Sequence, residues 1–133
     1  MSDRLLLRLA SDGRLSWLRQ TADGRVLGAS QDGAPDKAEL TAASEIVVLV
    51  PAEDVLLASA SVPARNRSQQ LQAVPFALED QLIGAVEDLH FAVAAGAGDD
   101  VSVAVVAQAR LREWLAQLQT AGIQPDVLLP ETL

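Results

Sequence analysis

A chain of 133 residues has the length of one domain or of a piece of a larger protein, and its 50% apolar content is enough to bury a core of ordinary size. Ten basic residues against eighteen acidic ones leave a net charge of −8. That balance disfavours nucleic acid and anionic membrane surfaces, which attract Lys and Arg, and suits a basic protein partner.

With no cysteine in the chain, disulfides and thiol chemistry are excluded and the redox compartment stays open. No apolar run approaches the roughly 18–20 residues of a membrane span. The nearest, Glu45–Val62, is broken by Pro51, Glu53 and Asp54. The N-terminus is apolar only at 5–7, 9 and 10, too short for the core of a signal peptide. The expectation for the chain as it stands is a soluble protein.

Arg4–Ala10 sets Leu5, Leu7 and Leu9 on one face, the mark of a half-buried strand. Asp12-Gly13 and Asp23-Gly24 separate it from Arg14–Arg19 and Arg25–Ser30. Asp-Gly tolerates the positive φ of tight hairpin turns, so a three-strand antiparallel meander is predicted. Gln31–Pro35 is read as loop and Asp36–Ala43 as a short helix. Glu45–Val50 is continuously apolar after its first residue, which predicts a central strand covered on both faces. Pro51 ends it, and Asp54–Val62 is a further strand.

Asn66 or Ser68 can cap a helix in which Leu71, Val74, Leu78 and Leu82 form one apolar stripe. Pro75 lacks an N–H and crowds the carbonyl of Leu71. The prediction is therefore a helix over 66–75 with a turn or bent continuation through 82, closed by Gly84. Asp88–Ala94 follows as a strand with Leu89, Phe91 and Val93 on one face. Ala95–Asp100 reads as a flexible link and Val101–Ala107 as a strand. Gln108–Ala121 is the clearest helix, with Leu111, Trp114, Leu115 and Leu118 at i, i+3, i+4 and i+7. Gly122 takes its C′ position. Gln124–Leu129 begins another strand, which Pro130 stops.

No catalytic set emerges. His90 is the single histidine and has no Cys or second His to complete a zinc site. It alternates with Leu89 and Phe91 on a strand, where a structural role outweighs a ligand role. A Ser-His-Asp triad would need His90 without a Gly-x-Ser-x-Gly elbow. Glu79, Asp80, Glu87 and Asp88 read first as a solvated acidic face, and second as a docking patch for Arg or Lys. The two Asp-Gly hairpins invite comparison with the phosphate loops of actin-like ATPases. A plain turn is the preferred reading, since no Gly-Lys-Ser/Thr loop or GxGxxG exists here. Trp114 and its stripe have the spacing of a core-facing helix. Arg65, Arg67 and Arg110 are scattered and make no nucleic-acid patch.

One stretch carries a resemblance. Leu71-Gln72-Ala73-Val74-Pro75-Phe76-Ala77-Leu78-Glu79-Asp80-Gln81-Leu82, followed by Asp88-Leu89-His90-Phe91-Ala92, resembles the cytoplasmic part of the type II secretion system protein L family. The flanks Val50-Pro51-Ala52-Glu53-Asp54-Val55-Leu56-Leu57, Val101–Leu118, Ala121-Gly122-Ile123 and Leu129-Pro130-Glu131-Thr132 are similar to it as well. The likeness covers the chain from about Glu45, and more loosely the N-terminal meander. The Val-Pro-Phe segment resembles, more distantly, the actin-like protein of type IV pilus assembly.

The resemblance implies an α/β fold of the actin-like, ribonuclease-H-like kind, a mixed sheet with an antiparallel meander and flanking helices. Residues 1–94 would be its first lobe, and 95–133 the start of a second lobe or a βαβ extension, cut short at Leu133. It implies a non-enzymatic scaffold on the cytoplasmic face of the inner membrane, held there by a transmembrane helix further along the protein. That scaffold recruits the secretion ATPase, protein E, through the ATPase's N-terminal domain, and its other partners are protein M and protein L itself. No cofactor or metal is implied. No family motif assigns the contact residues. On charge and expected exposure, the candidates are Glu79, Asp80, Glu87 and Asp88, with Arg110, Glu113 and Gln117 on the outer face of the last helix. The alternative is a nucleotide-binding actin-like regulator, which calorimetry with ATP and magnesium distinguishes.

Overall fold

Leu5, Leu7 and Leu9 take alternate positions of β1 (Arg4–Leu9) and are buried on one face of it, the period-2 consequence of an extended backbone. The computed structural model describes residues 3–63, 65–95 and 98–131. Around β1 lie β2 (Leu15–Gln20), β3 (Val26–Asp32), β4 (Glu45–Val50) and β8 (Val127–Pro130). They form one five-stranded sheet in the order β3-β2-β1-β4-β8. β1–β2 and β2–β3 are antiparallel, while β1–β4 and β4–β8 are parallel. The meander is thus present. Its turns place Gly13 and Gly24 at φ +87° and +96°, a region that side chains with a Cβ rarely adopt.

β3 runs two residues past the predicted Ser30, and Gln31 and Asp32 pair with Trp17 and Ser16 instead of forming loop. The register shifts between Trp17 and Arg19, and Gly28 on the opposite strand has φ +78°. This bulge absorbs the mismatch and lets pairing resume. β4 is buried on both faces, with Ile46, Val47, Val48 and Val50 in the core. It is an interior strand, but β1 holds the middle place. A run without alternation reports that both faces are covered, not the rank of the strand in the sheet.

Asp36 caps α1 (Lys37–Ala42) by accepting the Glu39 N–H at 2.9 Å. Asp126 accepts the Ile46 N–H at 2.7 Å and so ties the approach to β8 onto β4. α3 (Gln108–Thr120) ends as its Gly predicts. Ile123 N–H donates to Leu118 O at 2.8 Å and Gly122 N–H to Gln119 O at 3.0 Å, the paired bonds of a Schellman stop. Trp114 and Leu118 are buried, Leu111 half so, and Leu115 is exposed.

The chain divides into two compact units, Met1–Ala52 with Glu113–Leu133, and Glu53–Arg112. The second holds β5 (Val55–Ser61), β6 (Leu89–Ala95) and β7 (Asp100–Ala107), antiparallel in the order β5-β7-β6. The expected lobe boundary at 94/95 therefore falls at a hairpin whose strands pair from Leu89↔Ala107 to Ala95↔Val101. Small and acidic residues suit a hairpin loop as well as a linker. Residues 96 and 97 of the expected flexible link lie outside the described residues.

α2 (Arg67–Ala77) is capped by Asn66, which accepts the Gln69 N–H at 2.9 Å. The helix continues through Pro75 to Ala77, two residues past the predicted 75, and the predicted continuation toward 82 is a 3-10 turn over Glu79–Gln81. The missing N–H falls in the last turn, and Leu78 N–H still bonds Val74 O at 3.2 Å. One face of the unit's sheet packs a core of Val62, Val74, Leu78, Val101, Val103 and Val105. After α2, two 3-10 turns, Glu79–Gln81 and Val86–Asp88, flank Gly84 at φ +99° and lead into β6. Among the described residues, no helix is long and apolar enough to cross a membrane.

Candidate partner-docking surface

α2 turns Val74 and Leu78 inward, and a helical period places Phe76, midway between them, on the opposite side. Phe76 is 71% exposed and Ile83, in the connection after the first 3-10 turn, is 96% exposed. Leaving one of only two phenylalanines in water is unusual for a chain so poor in aromatics, and large exposed apolar side chains mark interaction surfaces. Glu79 and Asp80 occupy the first 3-10 turn, Glu87 and Asp88 the second, and all four are exposed. The acidic residues were legible in the sequence. Phe76 and Ile83 were missed, although Phe76 lies off the apolar stripe and Ile83 sits beside Gly84.

The other candidates are more engaged. Arg110 Nε lies 3.7 Å from Asp54 Oδ2 within the second unit, so its charge is partly answered there. Glu113 is exposed and belongs, with Gln117, to the first unit. Gln117 does not face outward. It is half-buried and its Nε2 donates to Gly13 O at 2.5 Å, fixing the first hairpin against α3. Its place beside Leu118 and one turn from Trp114 puts it at the margin of the buried stripe.

His90 is exposed on β6. Among the described residues, no group of three or more His, Cys, Asp and Glu is placed to hold a metal ion. Both hairpin aspartates are committed within their own turns. Asp12 accepts the Arg14 N–H at 3.0 Å and lies 3.3 Å from Arg14 Nε. Asp23 accepts the Thr21 hydroxyl, and that hydrogen bond holds its carboxyl below the usual range. A cavity of about 570 Å³ opens beside the first hairpin, lined by Arg8, Asp12, Arg14, Ser16 and Asp32 among others. Arg8 is paired with Glu131 and Arg14 with Asp12, so a phosphate would have to compete with carboxylates for both guanidinium groups.

Thr21→Val is expected to raise the Asp23 titration midpoint, read by NMR across acidic pH. A carboxyl whose folded pKa is depressed stabilises the fold above its unfolded pKa and loses that contribution as pH falls through the folded value. The variant should therefore lose less on acidification. An unchanged Asp23 midpoint would show that the hydroxyl does not hold the carboxylate.

The profile of the family described as type II secretion system (T2SS), protein L, matches residues 5–133. The chain is 36% identical over 136 residues to the type II secretion system protein L of Dickeya chrysanthemi, covering 98% of this chain and 34% of that protein. It spans about a third of the length of the curated relatives it matches. Among solved structures it is similar to the cytoplasmic domain of EpsL, an inner membrane component of the type II secretion system of Vibrio cholerae. The TM-score there is 0.73 at 30% identity, covering 97% of this chain and 57% of that one. A PilM–PilN type IV pilus biogenesis complex aligns with a TM-score of 0.68 at 20% identity, over 97% of this chain and 47% of that one, a likeness of fold. The mixed α/β architecture expected from the sequence is the one found, with its meander, parallel strands and flanking helices.

Proposed function

The chain belongs to the type II secretion system protein L family, and on that premise we propose that it is a non-enzymatic adaptor of the secretion platform. It recruits the secretion ATPase, protein E, by binding that ATPase's N-terminal domain. The observation that carries this reading is the exit of α2, where exposed Phe76 and Ile83 share one connection with four exposed carboxylates. Apolar anchors supply binding energy, and a charged rim supplies orientation and encounter rate. A partner with a basic, apolar surface fits both.

In this reading the chain works on the cytoplasmic face of the inner membrane, and attachment runs through a transmembrane helix elsewhere in the protein. Protein M and further copies of protein L complete the platform. The EpsL relative is itself an inner membrane component. Isothermal titration of this chain with the N-terminal domain of protein E from the same organism tests the proposal. Saturable binding is expected, and a flat trace removes the reading.

A further inference from the structure

Arg4, Arg8, Arg14, Arg19 and Arg25, the arginines of the first unit, each lie within 4.0 Å of a carboxylate oxygen. Lys37 does not. It is the single lysine of the chain, it is exposed, and its ammonium has no carboxylate partner among the described residues. With eighteen acidic residues against ten basic ones, that is not for want of carboxylates. Helix stability does not explain the position either. Lys37 opens α1, and a cation in the first turn opposes the helix dipole.

Lys37 lines a cavity of about 620 Å³ built from the first unit alone. The floor of this groove is apolar: Ile46 and Ile123 are buried, and Leu40 and Pro125 are half-buried. One wall is α1, where Arg19 of β2 holds Glu39. The other is the chain leaving α3, shaped by the Schellman stop and by the bond from Ile46 N–H to Asp126. Gln119 and Gln124 also line the groove, and among the described residues their amides have no hydrogen-bond partner. A side-chain amide carries both a donor and an acceptor, so it can serve the C=O and N–H of an extended backbone.

We propose that this groove docks an extended segment of a partner protein that carries one carboxylate next to branched aliphatic side chains. The carboxylate meets the Lys37 ammonium, an aliphatic side chain covers the floor at Ile46 and Ile123, and Gln119 and Gln124 hold the backbone between them.

Charge complementarity selects this occupant. A basic segment would leave Lys37 unanswered and add repulsion. A run of acidic residues is rejected as well, because Asp36 precedes Lys37 and Asp126 lines the groove. What remains is a single carboxylate in an apolar context. Both walls are tied down by bonds within the unit, so little ordering is required when the segment binds. The inference is independent of the ATPase reading.

The three isoleucines of the chain report on it. Ile46 and Ile123 line the groove, while Ile83 lies at the exit of α2 and serves as the internal reference. Panning a phage-displayed library of short random peptides on the chain supplies the probe. The enriched peptides are expected to share one acidic residue beside Val, Ile or Leu. Added to the chain with isotope-labelled isoleucine methyls, a synthetic peptide of that sequence should shift Ile46 and Ile123 in NMR spectra and leave Ile83 in place. Lys37→Glu, at an exposed position, should weaken its binding at least fivefold with an unchanged circular dichroism spectrum. The same peptide with lysine in place of its acidic residue should bind that variant better than it binds the unmodified chain. Enrichment without an acidic-aliphatic pattern overturns the proposal. So do shifts confined to Ile83, binding indifferent to Lys37→Glu, and a dimer of the chain that Lys37→Glu abolishes, which would put a second copy in the groove.

Discussion

Leu78→Ala is expected to lower the unfolding free energy by about 3 kcal/mol, while Leu71→Ala on the same predicted stripe costs only about 0.5 kcal/mol. Leu78 is 0% exposed and Leu71 is 42% exposed. Leu78 packs with Val62, Val74 and the β7 valines, in a core whose one aromatic neighbour, Phe91, sits at its margin. Branched aliphatic neighbours with stiff χ1 angles collapse poorly into a cavity, so a cost well inside the usual range for Leu→Ala applies rather than one below it. The 11-residue α2 is too short to persist alone in water. Val74 is its one fully buried residue, and Leu78 is the next anchor along the chain. Urea unfolding followed by circular dichroism measures both variants. Equal costs at 71 and 78 would mean that the helix presents a different face to the sheet.

That pair also shows where the sequence stops being informative. A period of three or four places Leu71, Val74, Leu78 and Leu82 on one side of a helix, but it cannot tell how wide the covering layer is. A helix start near Asp36, a cap at Asn66 or Ser68, the Gly122 stop and the Asp-Gly turns were all legible, because each is decided by residues within a turn of one another. The same holds for β1, whose alternate leucines state which face is dry. Long-range pairing was not legible. That β8 returns beside β4, or that β7 pairs with both β5 and β6, depends on contacts between segments tens of residues apart. Hence the small, acidic connection after β6 read as the edge of a lobe, although it closes a hairpin.

At the proposed docking surface the division is similar. Charge can be read from single residues, so the exposed carboxylates of Glu79, Asp80, Glu87 and Asp88 were expected from the sequence. The outward turn of Phe76 and the inward turn of Gln117 are fixed by which side of each helix is covered, and both needed the fold. The result is a more restrictive hypothesis than an acidic patch, because an apolar anchor and a charged rim fail in different ways.

Phe76→Ala is expected to weaken binding of the ATPase N-terminal domain by at least roughly tenfold, about 1.4 kcal/mol, and to do so through faster dissociation. Aromatic side chains that become fully desolvated dominate interface energies, whereas rim charges act on encounter. Glu79→Lys with Asp80→Lys should therefore slow association and flatten its dependence on ionic strength, with a smaller change in the dissociation rate. Neither change should alter stability by more than about 0.5 kcal/mol, since all three side chains are exposed. Surface plasmon resonance at low and physiological salt separates the two rates. Asp32→Lys, at an exposed residue of β3 in the first unit, makes a charge change of the same kind on a different element and serves as the control. If the domain binds with unchanged rates to the Phe76 and acidic variants, the α2 exit is not the contact and the adaptor must present another face. If the control weakens binding as much as the reversal at 79 and 80, net charge rather than the site governs recognition. The split expected between off-rate at Phe76 and on-rate at the carboxylates is the signature of a local, two-part surface.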